Sequence, residues 1–313
     1  DFLRGAAMTF KGDSTAGIVN LGQITAHEGN VMLFAHTVQN AGEISAPRGT
    51  ASLAAGSEVY LGSPDDSSVV IKFNLPSSVA KSGVENSGVI AAAQAELKAA
   101  GGSIYEVAIN QSGVVRATGV ENKNGRILLT ADGGTVGVSG TVTARNADGS
   151  GGEILVGGDY RGGNKDIPNA ARTVVTATAK LDASATTSEG KAGRVIAWSD
   201  EATRFLGGID AHGAGGGFAE VSGKHFLDFN PAATVSLGAN GTLLLDPDAL
   251  IVSSSADSGT ATSGTNPFTF SLNTDPATLN VTTLQNQLAT SNVILDTSLS
   301  AGDITFNNAV TWA

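Results

Sequence analysis

The sequence predicts an all-β protein, a parallel β-helix in which the chain winds in stacked rungs. The first observation is a tandem repeat: residues 18–37 are followed directly by a second version of themselves, residues 38–57, with seven of the twenty positions identical. A period of this length, formed by Gly, Asn and alternating apolar residues, is typical of stacked structural repeats. The second observation is composition. Glycine accounts for 41 of 313 residues and aromatic residues for 5%, which suits Gly-rich corners around a narrow core.

Each copy of the repeat contains two short runs in which apolar and polar side chains alternate, residues 23–26 and residues 31–35. A period of two is typical of β-strands, and it places Ile24 and Leu33 on one face. A Gly-containing corner at residues 27–30 separates the two runs. Because a unit of this length is too short for a propeller blade, each copy predicts one rung of a solenoid, with strands of successive rungs roughly 4.8 Å apart.

The same alternating pattern recurs farther along the chain, with wider spacing. The recurrences are residues 88–91, 113–117 with 125–129, 140–144 with 152–156, 181–183 with 194–198, 209–211 with 217–221, and 235–237 with 241–245. Insertions between repeats belong in loops on the outside of a solenoid. We therefore expect the β-helix to extend over residues 1–252.

Three segments interrupt the pattern and are expected to be excursions from the solenoid. Residues 62–83 have turn residues on both sides of a predicted strand at residues 69–73. Residues 91–100 consist of strong helix formers followed by two glycines, which predicts a short inserted helix. Residues 157–171 predict a Gly-rich polar loop. Such excursions are the places where a scaffold acquires a binding function.

The pattern changes after residue 252. Residues 253–266 are rich in Ser, Thr and Gly without periodicity, and we expect a flexible linker. Residues 267–313 predict the start of a second, truncated β-helical region, with one or two helical turns at residues 283–289 capped by Thr282 or Thr283. The strands predicted in this region are residues 292–296 and 302–306.

Three asparagines occupy equivalent positions in successive rungs: Asn20, Asn40 and Asn86 each precede an inward isoleucine by four residues. Amide side chains stacked in register form a ladder in which each one bonds to the next. Since the equivalent residues farther along are Gln111 and then Val138, we expect the ladder to end partway along the solenoid. We interpret the asparagines as structural, and we predict no catalytic residue, no cofactor and no metal ligand.

Charge and composition exclude several classes of function. The chain has 18 basic and 29 acidic residues and a net charge of −11, which argues against an extended nucleic-acid interface. Disulfides and thiolate chemistry are excluded because the sequence contains no cysteine. The sequence shows no signal peptide and no apolar run long enough to span a bilayer. Its Gly-rich strings do not follow a strand and open a helix, so a phosphate-binding loop is not predicted.

The histidines and paired aspartates do not form a metal-binding pattern. The four histidines, which we expect on the surface, are His27, His36, His212 and His225. They lack cysteines or carboxylates at ligand spacing. The residues Asp65-Asp66 and Asp246-Pro247-Asp248 do not approach the ligand-rich loop of a dedicated calcium site, and we interpret both as turns.

One pair of carboxylates leaves an enzymatic alternative open. Asp182 and Asp210 occupy equivalent positions, one residue after Leu181 and Ile209, and so should be neighbours on adjacent rungs. Glycan-cleaving enzymes use paired carboxylates for general acid and base catalysis. No aromatic platform is evident nearby in the sequence, so we expect a solvated pair rather than a catalytic one.

Several motifs together resemble the filamentous haemagglutinin-like exoproteins of two-partner secretion systems in Gram-negative bacteria. The motifs are Phe2-Leu3-Arg4-Gly5 with Phe10 and Gly12, the Asn-x-Gly-x-Ile-x-Ala rungs, Gly157-Gly158-Asp159-Tyr160, and residues 195–200, 220–224 and 241–247. They cover most of residues 1–250, with a weaker match at residues 282–312.

The resemblance implies a right-handed β-helix that is exported as an unfolded chain through an outer-membrane β-barrel transporter and folds at the cell surface. Members of that family act as adhesins, biofilm scaffolds, haem-acquisition proteins or toxin-delivery stalks. The N-terminal secretion motifs of the family are absent from this sequence, so we expect Asp1 to lie partway through the secretion-type domain.

These observations predict a secreted, surface-associated structural or adhesive exoprotein without enzymatic activity. Its expected partners are the transporter during export and a glycan or protein receptor of a host surface or matrix, or a polysaccharide. Two alternatives stay open. One is a β-helical polysaccharide-active enzyme that uses Asp182 and Asp210, and the other is a filament that assembles end to end through open strand edges.

Overall fold

The computed structural model describes residues 8–61, 69–72, 83–100, 107–121, 124–231, 235–256, 260–263, 269–272, 277–298 and 302–312. Its strands stack in parallel, rung upon rung, as a parallel β-helix. The predicted fold class is therefore confirmed.

The elements up to residue 156 are β1 (Met8–Lys11), β2 (Gly17–Asn20), β3 (Gln23–Thr25), β4 (Val31–Ala35), β5 (Thr37–Asn40), β6 (Glu43–Ala55), β7 (Glu58–Leu61), β8 (Val69–Lys72), β9 (Gly83–Asn86), β10 (Val89–Ala100), β11 (Val107–Gln111), β12 (Val114–Ala117), β13 (Arg126–Asp132), β14 (Thr135–Val138), β15 (Thr141–Ala144) and β16 (Glu153–Val156). The later elements are β17 (Arg172–Val175), β18 (Lys180–Asp182), β19 (Arg194–Ser199), β20 (Ala202–Phe205), β21 (Gly208–Asp210), β22 (Phe218–Gly223), β23 (Phe226–Phe229), β24 (Val235–Ser236), β25 (Thr242–Leu245), β26 (Leu250–Ser253), β27 (Thr260–Ser263), β28 (Thr269–Leu272), β29 (Ala277–Asn280), α1 (Val281–Leu288), β30 (Asn292–Leu295) and β31 (Ile304–Phe306).

Each rung contributes strands to three faces. The first face is an eight-stranded sheet in the order β2-β5-β9-β11-β14-β17-β20-β23. The other two faces belong to one 15-stranded sheet, in which the long strands β6 and β10 turn the corner between them. β6 pairs with both β3 and β4, and β10 pairs with both β12 and β13. The second face thus runs from β3 to β24 and the third from β4 to β30.

Columns of apolar side chains fill the interior, because parallel in-register pairing places equivalent residues of successive rungs above one another. One column consists of Ile24, Ile44, Ile90, Val115, Val142, Leu181, Ile209 and Val235. A second consists of Leu33, Leu53, Leu97, Leu129, Val156, Ala197 and Val221. Both belong to a single core cluster that extends along the solenoid.

The predicted helix at residues 91–100 is wrong. These residues lie within the strand β10, which pairs in parallel with β6 and β13. Their buried and partly exposed side chains alternate: Leu97 is buried in the core, while Glu96 and Lys98 point outward and form an ion pair of 2.8 Å. Stacking on the rungs on either side outweighs the helix propensity of Ala, Glu and Lys, which is a weak preference of a few tenths of a kcal/mol per residue.

The excursion predicted at residues 62–83 contains the strand Val69–Lys72, and the last residue of the predicted strand, Phe73, lies outside the described residues. It pairs antiparallel with β7, which also pairs antiparallel with β1. These three strands form a small sheet of their own beside the first rungs. The predicted turns on either side of the strand lie outside the described residues.

The chain after residue 252 differs in part from the sequence expectation. Within the predicted linker, Thr260–Ser263 forms a strand that pairs antiparallel with Thr269–Leu272. The strand β30 pairs in parallel with β25, and so adds a strand to the existing stack rather than starting another. The helix α1 is capped by Asn280 instead of Thr282 or Thr283, because the Asn280 side chain accepts a hydrogen bond of 2.8 Å from the Thr282 N–H.

Candidate functional site

The three asparagines predicted to stack form a continuous row of hydrogen bonds. Asn20 donates to Asn40 at 2.7 Å, Asn40 donates to Asn86 at 2.7 Å, and Asn86 donates to Gln111 at 2.8 Å. We call these four residues the amide ladder. Asn40, Asn86 and Gln111 have no exposed surface. Because Asn40 and Asn86 each use both the donor and the acceptor of the amide along the stack, the ladder supports the register of successive rungs on the first face.

The ladder ends at Gln111. Its carboxamide oxygen accepts from Asn86, while its side-chain nitrogen is buried without a hydrogen-bond partner. The register partner on the next rung is Val138, which offers no acceptor. The column therefore changes from polar to apolar at this rung, where the sequence places the change.

Asp182 and Asp210 are register partners on adjacent rungs, but each binds a different group. Asp182 accepts from the Arg145 guanidinium at 2.7 Å and from the Ser184 hydroxyl at 2.6 Å. Asp210 lies 2.5 Å from the Nδ1 atom of His212. Asp182 and Asp210 are thus each bound to a residue at the corner of their own rung, Ser184 or His212. Asp182 is also bound to the Arg145 guanidinium.

Two of the four histidines contact carboxylates. His225 contacts the Asp248 carboxylate, and His212 contacts Asp210. Within the described ranges, no group of three or more His, Cys, Asp or Glu residues could hold a metal ion.

The Gly-rich loop at residues 157–171 covers the outer surface of the third face. Beneath it lies an apolar cluster formed by Leu128, Leu155, Ile167, Ile196 and Trp198, with Phe218 at its border. The Trp198 side chain is 1% exposed and its indole N–H donates to Asp200 at 3.1 Å. We call this segment the cover loop, because it buries an outer apolar surface that the sheet alone would leave in water.

Glycines let the cover loop approach Trp198. Gly157 has a φ of +80°, and a Cβ there would meet the Trp198 carbonyl and the Thr173 hydroxyl. A Cβ on Gly158 or Gly162 would meet the Trp198 ring itself. The glycines of this motif are thus required by close packing.

We expect the substitution Gly157→Ala to undock the cover loop. A side chain in the left-handed region costs about 1–2 kcal/mol, and here it also collides with backbone. The measurement is the fluorescence of Trp198 in a Trp312→Phe background, which should shift to longer wavelength. Gly163→Ala is the matched control, since Gly163 has a φ of −83° and a Cβ there would lie at an ordinary contact distance of 3.5 Å from the Tyr160 carbonyl oxygen. An unchanged Gly157→Ala spectrum would contradict the packing requirement.

Arg161, at the tip of the cover loop, binds three carboxylates. Its backbone N–H donates to both carboxylate oxygens of Glu220, at 3.2 and 3.1 Å. Its guanidinium lies 3.3 Å from the Asp246 carboxylate and also contacts Asp296. Arg161 itself has a φ of +54°, unusual for a residue other than glycine. We call these four residues the arginine cluster.

Burial dominates the electrostatics of the arginine cluster. Glu220 has no exposed surface, and burial raises its pKa to about 7 although the Arg161 N–H and the Ser222 hydroxyl lower it. Burial, together with the charge of Asp296, raises the pKa of Asp246 to about 6. Although burial also raises the pKa of Asp296, hydrogen bonds from Ser298 and the charge of Arg161 outweigh it, so that this pKa lies below its usual value. The cluster therefore combines one ionised carboxylate with two that resist ionisation.

Sequence reasoning did not identify this cluster. Glu220 occupies the outward position equivalent to Ile196 and Leu244 on the neighbouring rungs. A carboxylate between two apolar register partners is the signal that could have pointed to it. The interpretation of Asp246 as a simple turn residue missed its burial, which depends on a loop 85 residues earlier in the chain.

An exposed polar and aromatic strip combines two residues of the cover loop, Asp159 and Tyr160, with residues of the strands beside it. Arg194 bridges Glu153 at 2.7 Å and Asp159 at 3.0 Å. The Tyr160 ring is 43% exposed, packs 5.9 Å from the Phe218 ring and lies 5.9 Å from the Arg194 guanidinium. A tyrosine face beside charged hydrogen-bonding groups is chemically suited to a polar ligand such as a sugar.

A groove lies between the small antiparallel sheet and the first rung. Its volume is about 590 Å³, and Phe10, Phe34 and His36 are among the residues that line it. The rings of Phe10 and Phe34 are 6.2 Å apart. The groove thus offers an apolar wall with a polar rim at this end of the described stack.

The described part of the chain has no helix long and apolar enough to cross a membrane.

Comparison with known proteins finds similarity to a solved structure. No protein-family model matches the chain, and no curated protein matches it. The crystal structure of the HMW1 secretion domain from Haemophilus influenzae is similar, with a TM-score of 0.53 and 27% identity, over 75% of this chain and 68% of that one.

The fold and this similarity define a class: a parallel β-helical chain that is similar in structure to a bacterial secretion domain. The general part of the predicted resemblance is thereby supported. The narrower assignment to the filamentous haemagglutinin-like exoproteins stays a prediction.

Proposed function

We propose that this chain is part of a bacterial exoprotein that is exported by two-partner secretion and acts at the cell surface as an adhesin or an extracellular scaffold, without enzymatic activity. The observation that supports this most directly is the similarity to a secretion domain over 75% of the chain. The uninterrupted stack of rungs is also consistent with this role, because a solenoid presents a long, regular surface to a partner.

Two kinds of partner follow from the proposal. The first is an outer-membrane β-barrel transporter, met during export, and the resulting location is extracellular. The second is a glycan or protein of a host surface or matrix, or a polysaccharide. The strip around Tyr160 is the described surface whose chemistry best suits such a ligand.

A binding screen of the purified chain against glycans and host-matrix proteins tests the adhesive role. We expect saturable binding to at least one ligand class, absent from a heat-unfolded sample. Tyr160→Ala should weaken glycan binding, because a sugar can no longer stack on the aromatic ring. Tyr60→Ala is a matched control, since Tyr60 is 40% exposed on a different sheet. If, for every ligand tested, the folded chain binds no more strongly than the heat-unfolded chain, the adhesive role is wrong.

The enzymatic alternative predicts turnover of acidic glycans that depends on Asp182 and Asp210. We expect no turnover by the wild-type chain, because both carboxylates are engaged in the corner contacts described above. Product formation measured by reducing-end assay, abolished by Asp210→Ala, would instead favour a polysaccharide-active enzyme.

Self-assembly into filaments is favoured by one observation. Among the described strands, β2 pairs only with β5, so its other edge is open, and Val19 on this strand is 59% exposed. Open strand edges invite pairing with another chain. Light scattering over a range of concentrations decides this: growth in particle mass supports filaments, and monodisperse monomers at high concentration exclude them.

A further inference from the structure

Arg161 connects segments of the chain that are far apart in sequence. It binds Glu220 on β22, Asp246 after β25 and Asp296 after β30, which lie 59, 85 and 135 residues farther along. These three carboxylates come from three successive rungs, because β22 pairs with β25 and β25 pairs with β30. One residue of the cover loop therefore contacts three rungs of the third face, one through its backbone N–H and two through its guanidinium.

The charges in this cluster do not balance. A single guanidinium faces three carboxyl groups, of which Glu220 and Asp246 are buried. The remaining groups that face the cluster are the Tyr160 ring, 5.4 Å from the guanidinium, the Ser222 and Ser298 hydroxyls, and Asp248, which contacts His225. With all three carboxyls ionised, the cluster has an excess of negative charge at the contact that holds the loop down.

We propose that the cover loop is a proton-operated latch: Arg161 holds the loop on the third face while Glu220 and Asp246 carry protons, and docking weakens when these carboxyls ionise, because the docked loop shields their charges from water. Opening of the latch would expose Trp198 and the outer apolar cluster, which the loop otherwise covers. The inference stands independently of the adhesive role.

The direction of the pH dependence follows from the two raised pKa values. A carboxyl whose pKa is higher in the docked state than in water binds its proton more tightly when docked. For Glu220 the window runs from its ordinary 4.5 to about 7, and for Asp246 from 3.8 to about 6. Docking is therefore most stable at the acidic end and is weakened as the pH rises to about 7. Asp296 acts in the opposite direction, because its lowered pKa makes docking less stable as the pH falls. This effect lies below the ordinary pKa of 3.8 and so outside the window.

Hydrogen-exchange mass spectrometry on the full chain at pH 5 and pH 8, corrected for the intrinsic pH dependence of exchange, tests the latch. A one-proton difference changes the docking equilibrium by up to about tenfold per pH unit. We expect the protection of residues 157–171 to fall at least about tenfold between pH 5 and pH 8, while β9 amides remain protected at both values. Flat protection of the loop in the wild-type chain would overturn the proposal.

Two variants separate titration from ordinary packing. Glu220→Gln keeps the shape but cannot ionise, so we expect it to remove most of the pH dependence and keep the loop protected at pH 8. Arg161→Gln removes the clamp and should leave the loop poorly protected at both pH values. Asp182→Asn, on the second face, is the control and should behave as wild type. Wild-type pH dependence in Glu220→Gln, or full protection in Arg161→Gln, would contradict the proton-operated latch.

Discussion

Replacing Phe205 with alanine is expected to lower the free energy of unfolding by about 3–5 kcal/mol. Phe205 has no exposed surface and stacks on Phe229 of the next rung, with ring centroids 6.0 Å apart and planes 23° apart. Its other register partner is Val175. Removal of the ring leaves a cavity between two rungs that the hydrogen-bonded strands cannot close.

Chemical denaturation followed by circular dichroism measures this effect. Phe205→Leu is the matched control, because it keeps most of the buried apolar volume and should cost clearly less than the alanine variant. Since a solenoid can unfold in parts, the transition of the alanine variant should also broaden or split. Equal stability of the two variants would contradict the prediction, because the leucine side chain retains most of the buried volume whose loss is expected to destabilise the alanine variant.

Phe205 and the amide ladder belong to the same column of the first face. The column consists of Asn20, Asn40, Asn86, Gln111, Val138, Val175, Phe205 and Phe229. One position of the rung thus changes from hydrogen-bonded amides through valine to stacked aromatic rings. Amides, valines and aromatic rings each stack on side chains of the same type in this column. At the junction between amides and valines, the side-chain nitrogen of Gln111 lacks a hydrogen-bond partner.

The sequence correctly predicted contacts between residues at equivalent positions of neighbouring rungs. The stacking of Asn20 on Asn40 follows from a twenty-residue period, and the pairing of Asp182 with Asp210 follows from equivalent positions in two rungs. The predicted helix at residues 91–100 failed because local propensity was given more weight than the period-two alternation that those residues also show.

The arginine cluster could not be predicted in the same way. Its members do not share one repeated position, because Arg161 is in an insertion and Glu220 lies within β22, whereas Asp246 and Asp296 directly follow the register partners Leu245 and Leu295. Their contact depends on how a loop folds back across three rungs. A period in the sequence contains no information about that path.

We expect Asn86→Ala to cost about 2–4 kcal/mol of unfolding free energy, because it interrupts the amide ladder in its middle. Asn86 accepts from Asn40 and donates to Gln111, each over less than 3 Å. Without it, the Gln111 side chain loses its one hydrogen bond among the described residues, and the Asn40 side-chain nitrogen retains only a long bond of 3.4 Å to the Val89 carbonyl, while its oxygen still accepts from Asn20. Each buried polar group left unsatisfied costs about 1–3 kcal/mol.

Glu85→Ala is the matched control for this prediction. Glu85 precedes Asn86 on β9, and its half-buried side chain lies on the opposite side of the strand. Its replacement should change stability by about 0.5 kcal/mol or less. Denaturation midpoints of the two variants, compared with wild type, therefore separate the ladder from the strand that contains it. If Asn86→Ala were no more harmful than Glu85→Ala, stacking of the backbone and of the apolar columns would hold the first face in register without the amides.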